Sequence, residues 1–442
     1  MLTRRQLLKI GGTTLGGVAL GGSWARLAHA AASDMRFVFA YFSGGWDILL
    51  GLDPRDPVEF SSEDISATLI QPGYELLQNR PNAGLIRAGG LTFGPFIGEL
   101  TRHADKMAVI RGMSMETLTH EAGRRRFITG KPPSGLLARG SSIATFLASK
   151  LGEDHPIPNL AIRVESYNVD QPSYATALAA SGVPDLVRAL RPAEPKLTPA
   201  EDGAIDALLA ESARCNSALR SPAWRVAEAS RLKAREMTTK NLAGLFDLTN
   251  NDALRTRYGV PAGAAGLGSP EAQAAMAAQA IMGNVSRAVS IEATSGLDTH
   301  FREWTTDQGP RQERGFNAIA RLADHLAASE YQGTGQSWLD HTIIVGFSEF
   351  SRTPLINARE GRDHSLTNAS FILGAGIRGG VTVGASSDVG MQPQPVDLAT
   401  GRVDMGGQVP RPEHVLQTML ELAGISGDPD DLRVPPIRAM MR

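Results

Sequence analysis

Cysteine is almost missing from this 442-residue chain, with Cys215 the one thiol. That excludes internal disulfides as a staple of the fold. An excess of one charge is missing too: 44 Lys and Arg stand against 46 Asp and Glu, for a formal net charge of −2. A nucleic-acid binder usually carries a basic excess, so that class is set aside. Beyond the N-terminal leader there is no apolar run of the roughly 20 residues a membrane-spanning helix needs. Internal repeats and low-complexity tracts are also lacking.

The N-terminus carries an address. Thr3-Arg4-Arg5-Gln6-Leu7-Leu8-Lys9 is followed by a glycine-interrupted apolar stretch from Ile10 to Gly22 and by Ala28-His29-Ala30, a small-x-small cleavage pattern. The expectation is a twin-arginine signal over residues 1–30, with the twin-arginine translocase as partner during export. The mature chain would then begin near Ala31 in the periplasm or outside the cell, with no stable membrane span. Loss of Arg4, Arg5, Lys9 and Arg26 moves the charge from −2 by four units, to about −6. A chain with one thiol suits a route that exports proteins already folded.

Short runs rich in Val, Ile and Phe end in Gly or polar turns and read as buried strands: residues 36–42, 107–111, 160–164, 288–293, 342–347 and 370–373. Helical patterns alternate with them at residues 143–151, 271–287, 313–328 and 414–423. This alternation predicts an α/β fold with a mostly parallel central sheet and helices on both faces. Residues 31–442 are expected to form that domain. A charged, strand-free helical insertion or cap is expected at about 198–257, and a long surface loop at 384–412.

Ligands of open α/β sheets bind beyond the carboxyl ends of the strands. Those ends carry Asp47, Thr119 with His120, Asp298 with His300, Glu349, and, before the sixth strand, Asp363 with His364. Carboxylates and imidazoles converging on one rim point to a divalent metal site. Oxygen and nitrogen ligands without thiolate suit zinc, manganese, magnesium or calcium. Each residue alone is more often a cap or turn former; the set is what carries the reading. Arginines flank the same loops, and Arg126 and Arg352 are candidates to grip the paired oxygens of phosphate or sulfate. His325 and His341 read as structural, and His103 and His155 as surface residues.

Five motifs recur in this order: Gly44-Gly45-x-Asp47, Gly296-Leu297-Asp298-Thr299-His300, Phe347-Ser348-Glu349-Phe350-Ser351-Arg352-Thr353-Pro354, Gly361-Arg362-Asp363-His364 and Gly374-x-Gly376-Ile377-Arg378-Gly379-Gly380. Together they resemble the exported domain-of-unknown-function family 1501, over essentially the whole mature chain. Ser351 stands where that family commonly has Gly. The family is similar in turn to the alkaline phosphatase and sulfatase superfamily. This resemblance implies an alkaline phosphatase-like fold and a two-metal hydrolase. Asp47 matches the first-strand metal carboxylate, Asp298 and His300 a later carboxylate–histidine pair, and His364 the late histidine. Glu349 stands where better-known members carry Asp-His, with Phe350 in place of that histidine. The superfamily's nucleophile follows the second strand, where Thr119 is the candidate and Ser114 and Thr117 are close by; a water is the alternative.

The functional expectation is an exported hydrolase that uses one or two divalent ions on phosphate or sulfate esters, of small molecules or polysaccharides. Its metal ligands would come from Asp47, Asp298, His300, Glu349, Asp363 and His364, and Thr119 and His120 would take part in the reaction. The alternative is a non-catalytic exported binding or cell-envelope protein that keeps the fold. A phosphomutase-like enzyme is a third reading.

Overall fold

The computed structural model describes residues 34–442 except 82, 136, 192–196 and 214–220. The expected leader and Cys215 lie outside the described residues. The main sheet has eight strands, numbered in chain order: β1 Arg36–Phe42, β2 Met107–Ser114, β3 Asn159–Ile162, β4 Leu178–Ala180, β5 Ala288–Thr294, β6 Thr342–Phe347, β7 Thr367–Gly374 and β8 Val381–Val383. Their spatial order is β8-β2-β7-β6-β1-β5-β3-β4. Seven run the same way, and β7 alone is antiparallel, to both β2 and β6.

The central strand shows why the sequence folds so. All seven residues of β1 are buried. Its side chains alternate between faces: Val38, Ala40 and Phe42 join one core cluster, and Phe37, Phe39 and Tyr41 the other. A strand covered on both faces reads as a continuous apolar run rather than an alternating one. Each fully buried Phe or Val contributes roughly 1.5–3 kcal/mol. The helices that cover the sheet and matter below are α1 His120–Thr129, α2 Ile143–Leu151, α3 Val183–Leu190, α4 Pro199–Ala213, α5 Pro222–Thr239, α6 Pro270–Met282, α7 Gln308–Ala327 and α8 Pro412–Leu422. Helices α6 and α7 pack on the first face, through residues such as Ala275 and Phe316. Helices α1, α2 and α8 pack on the second, through Phe127, Phe146 and Leu416. Between α3 and α6, the described residues contain α4, α5 and shorter helical turns and no strand. No helix among the described residues is long and apolar enough to cross a membrane.

Three differences from expectation have physical causes. Strands β4 and β8 are three-residue edge pieces, too short to show a pattern. Helix α7 begins at Gln308 rather than Glu313, because Gln308 and Gln312 are buried and turn inward instead of capping at the surface. Gln312 accepts from the Asp47 amide at 2.9 Å and donates to the Asp47 carbonyl at 3.0 Å, clamping the turn after β1. His103 and His155 are buried, not at the surface.

Candidate metal centre

The carboxyl ends of β1, β2, β5 and β6 lie on one rim, and because β7 runs backwards, the residues before it arrive at that rim as well. A two-stranded ladder pairs Ser351–Arg352 with His364–Ser365, bringing the post-β6 loop beside His364. Backbone contact fixes the other loops. A Cβ on Gly123 in α1 would meet the Glu349 carbonyl oxygen at 2.2 Å, so α1 lies directly on the turn after β6. Gly44, at φ +111°, would likewise strike the Leu297 and Asp298 amide nitrogens at 2.7 and 2.8 Å.

These approaches gather three imidazoles around one carboxylate. Asp298 Oδ1 lies 2.9 Å from His300 Nε2 and 3.2 Å from His364 Nε2, and Oδ2 lies 3.4 Å from His120 Nε2. The Nε2 atoms of His300 and His364 are 3.0 Å apart. His120, Asp298 and His364 form a group able to hold a metal ion, with ligand atoms all within 4.8 Å of one another. His300 joins them on the distances just given. Bonds of 2.0–2.1 Å in a tetrahedral site put neighbouring ligand atoms about 3.3 Å apart, and the measured separations bracket that edge.

The outer ring nitrogens settle where the protons sit. His364 Nδ1 is 2.7 Å from the Leu118 carbonyl, which can only accept. His300 Nδ1 is 2.8 Å from Asp363 Oδ1, and His120 Nδ1 is 2.7 Å from Glu349 Oε1. The bond from His300 lowers the Asp363 carboxyl. Burial alone would raise the Glu349 carboxyl, but the His120 bond and neighbouring donors outweigh it and hold it below its ordinary value. Both carboxylates are therefore ionised acceptors. Burial lowers His364, keeping it neutral, whereas the bond to Glu349 raises His120. With its proton on Nδ1, neutral His364 turns its Nε2 lone pair to the Asp298 carboxylate, and His300 Nε2 faces the same carboxylate with Arg352 Nη1 3.3 Å away. A lone pair facing a carboxylate favours a cation between them, a place that Arg352 fills only in part. An outer carboxylate or carbonyl on each Nδ1 is how metal-binding histidines are usually oriented.

Arg352 supplies part of that positive charge from below. Its side chain is fully buried, and Nη2 donates to Asp298 Oδ1 at 2.6 Å. The same guanidinium donates to the carbonyls of Gly44 and Gly45, and a Cβ on Gly45 would strike the Phe350 ring at 2.7 Å. Burial would raise the Asp298 carboxyl, yet Arg352 outweighs it and holds it at about 2. Phe350, itself buried, lies under His120 and His364 at ring-centroid distances of 4.8 and 4.1 Å.

The expected site residues thus divide. Asp298, His300 and His364, expected as ligands, lie together, and His120, expected to take part in the reaction, lies with them. Glu349 and Asp363 do not face the centre; they hold the far sides of His120 and His300. Glu349 is also saturated, since Oε1 accepts from the Gly44 amide and Oε2 from the Ser348 hydroxyl. Asp47 stands apart from this cluster. It is fully buried beneath the rim, where Trp304 Nε1 donates to its Oδ2 at 2.8 Å and Arg362 Nε stands 3.1 Å away, close enough to pair as charges without the alignment of a hydrogen bond. Arg352 has no exposed surface with which to grip a substrate. Arg126 is spent on Glu116 and Glu413, tying α1 to α8. Thr119 is the exposed N-cap of α1, its hydroxyl 3.4 Å from that of Thr117 and hydrogen-bonded to no base among the described residues; Ser114 ends β2. Sequence reasoning missed Arg359, whose guanidinium lies 4.4 Å from the Phe301 ring centroid and 3.4 Å from Asp363 Oδ1 and is half exposed. Its place in the loop before Asp363 was the available signal.

The family model described as "Protein of unknown function (DUF1501)" matches residues 34–401. No curated protein matches the chain. Among solved structures, the chain is similar to one described as "Crystal structure of Ps i-CgsB in complex with k-i-k-neocarrahexaose". The identity is 9%, the coverage 91% of this chain and 74% of that one, and the TM-score 0.36, too loose a likeness to carry an argument.

Proposed function

The chain belongs to the DUF1501 family, and from that premise we propose that it is an exported hydrolase of phosphate or sulfate esters that uses one divalent ion held by His120, Asp298, His300 and His364. The observation that carries this reading is the convergence of three imidazole Nε2 atoms on one carboxylate, each ring held from behind by an acceptor. The two-ion arrangement implied by the resemblance to alkaline phosphatases and sulfatases is not adopted. Phe350 stands in the second histidine's place, and Asp47 and Glu349 are committed elsewhere.

A divalent cation at this position supplies Lewis-acid polarisation and acidifies water. The chain's own groups prepare for it. Asp363, Glu349 and the Leu118 carbonyl fix the protons on Nδ1, and Arg352 keeps Asp298 ionised. Arg359, solvent-facing on the same loop as Asp363, takes over the oxyanion-binding role first assigned to Arg126 and Arg352. Since no base touches the Thr119 hydroxyl, water rather than Thr119 is the attacking group. Export by the twin-arginine route belongs to the same proposal; replacing Arg4 and Arg5 with Lys should leave precursor in the cytoplasm.

Metal analysis of protein from the exported fraction, combined with a screen of aryl phosphates and sulfates, tests the reading. One equivalent of metal and chelator-sensitive hydrolysis are expected. The non-catalytic alternative draws on the absence of a base beside Thr119; metal-free protein of full stability with no hydrolysis would establish it instead.

A further inference from the structure

Beside the cluster, on the His364 side, an open cleft of about 600 Å³ runs away from the rim. Asp363 and His364 belong to its lining, with Leu69, Leu118, Ile356 and Leu366 on the apolar side and Thr353, Asn357, Ser365, Thr367 and Gln392 among the polar residues. These apolar residues come from four separate segments. Leu69, Leu118 and Leu366 remain 45%, 43% and 45% exposed, so water covers a patch that folding has gathered but not buried. Apolar side chains left open around a cavity mark a ligand groove more often than plain surface.

Two details tie the cleft to the centre. Leu118 serves both: its carbonyl holds His364 Nδ1 while its side chain lines the cleft. Leu69 is held at φ +54°, a conformation that L side chains rarely adopt. The neighbouring backbone fixes it there, through Gly390 N–H to Thr68 O at 2.7 Å and Gln71 N–H to Pro354 O at 2.9 Å. Leu69 closes the short helix Ile65–Thr68 as its C-cap.

We propose that the cleft receives the apolar alcohol portion of the ester, an aryl or medium-length alkyl group, so that the protein selects phosphate or sulfate monoesters of hydrophobic alcohols over those of sugars. This rests on the hydrolase reading above. In the reaction, a water oxygen bonds to phosphorus or sulfur and the bond to the ester oxygen breaks. The electron pair leaves on the alcohol oxygen, which takes up a proton, while the other product is inorganic phosphate or sulfate. No co-reactant besides water is needed. A sugar would leave the leucines exposed, whereas a ring or chain covers them.

The test measures kcat/KM for 2-naphthyl phosphate, methyl phosphate and glucose 6-phosphate, with the matching sulfates, on the full chain and on Leu366→Asn and Ile356→Asn. Naphthalene-2-sulfonate binding is followed in parallel by fluorescence, with metal content and thermal midpoint as folding controls. The naphthyl ester is expected to exceed glucose 6-phosphate by at least about tenfold, and each variant to cut the naphthyl-to-methyl ratio about tenfold, mostly through KM. Hydrolysis with no apolar preference would overturn the cleft assignment and leave the hydrolase reading standing. Absence of all hydrolysis, with naphthalene-2-sulfonate bound by the parent and lost in Leu366→Asn, would overturn the hydrolase reading and keep the cleft as a site for apolar anions. Failure of naphthalene-2-sulfonate to bind well-folded protein would overturn the cleft.

Discussion

An imidazole has two ring nitrogens, and at three places in this protein one of them is fixed from outside. Glu349, Asp363 and the Leu118 carbonyl each accept a hydrogen bond from Nδ1, leaving Nε2 to face Asp298. Two carboxylates with the same apparent credentials in the sequence therefore have different tasks. Asp298→Asn should remove most bound metal, since a ligand and its charge are lost, while the fold survives because the residue is 47% exposed. Asp47→Asn should do the reverse. It strips the charge from a fully buried partner of Arg362, and breaking such a pair costs roughly 3–5 kcal/mol, yet metal content per folded molecule should hold. Metal analysis alongside urea unfolding separates the two, and metal loss in step with Asp47→Asn would restore Asp47 to the ligand set. Here the sequence was readable only in part. Asp298, His300 and His364 could be picked out by residue type and place after strands. That Asp47 meets Arg362 across 315 positions, or that Arg352 turns inward, depends on packing that no local pattern encodes.

At the scale of elements, the centre exists because loops from distant strands touch backbone to backbone. Helix α1 delivers His120 only because Gly123 lets it rest on the Glu349 carbonyl. Gly123→Ala should force α1 away by several tenths of an ångström or more, costing about 1–3 kcal/mol as an overpacked contact does. It should also lengthen the His120–Glu349 bond, so that metal affinity falls more than stability alone explains. A variant with parent-like affinity would show that His120 is not positioned by this contact. Such glycines looked like turn formers in the sequence. The reversed direction of β7 was equally hidden, since its apolar run resembles that of its parallel neighbours; only its length differs, Thr367–Gly374 against an expected 370–373. That reversal is why a histidine before a strand shares a rim with residues that follow strands. The strands of the sheet's centre were legible because full burial on both faces leaves an unbroken apolar signature, whereas the inward glutamines of α7 disguised its first turn.

For the whole molecule, the charge state of buried histidines sets the response to acid. Burial lowers His155 to about 3, and His325 and His414 to about 4. His414 shows the geometry: its Nδ1 accepts the Arg411 amide at 3.1 Å, which a protonated ring cannot do. A histidine depressed in the folded state gives stability that is full above its unfolded value near 6.5 and lost as pH falls through the folded value. Unfolding free energy should therefore drop between about pH 6.5 and 3, and His414→Gln should flatten the curve in that window. Asp430, raised by burial to about 6, acts in the opposite sense between about pH 4 and 6, and Glu292 and Glu413, also raised by burial, act with it. Urea midpoints across the range give the answer; a curve flat from pH 7 to 4 would contradict it.

The central claim is one divalent ion held by His120, Asp298, His300 and His364, and anomalous scattering from crystals of zinc-saturated protein, recorded on both sides of the zinc edge, tests it most directly. A single peak is predicted about 2.0–2.2 Å from the three Nε2 atoms and the Asp298 carboxylate. Two peaks roughly 3.5–4 Å apart, a peak beside Asp47, or none in that cluster would contradict it.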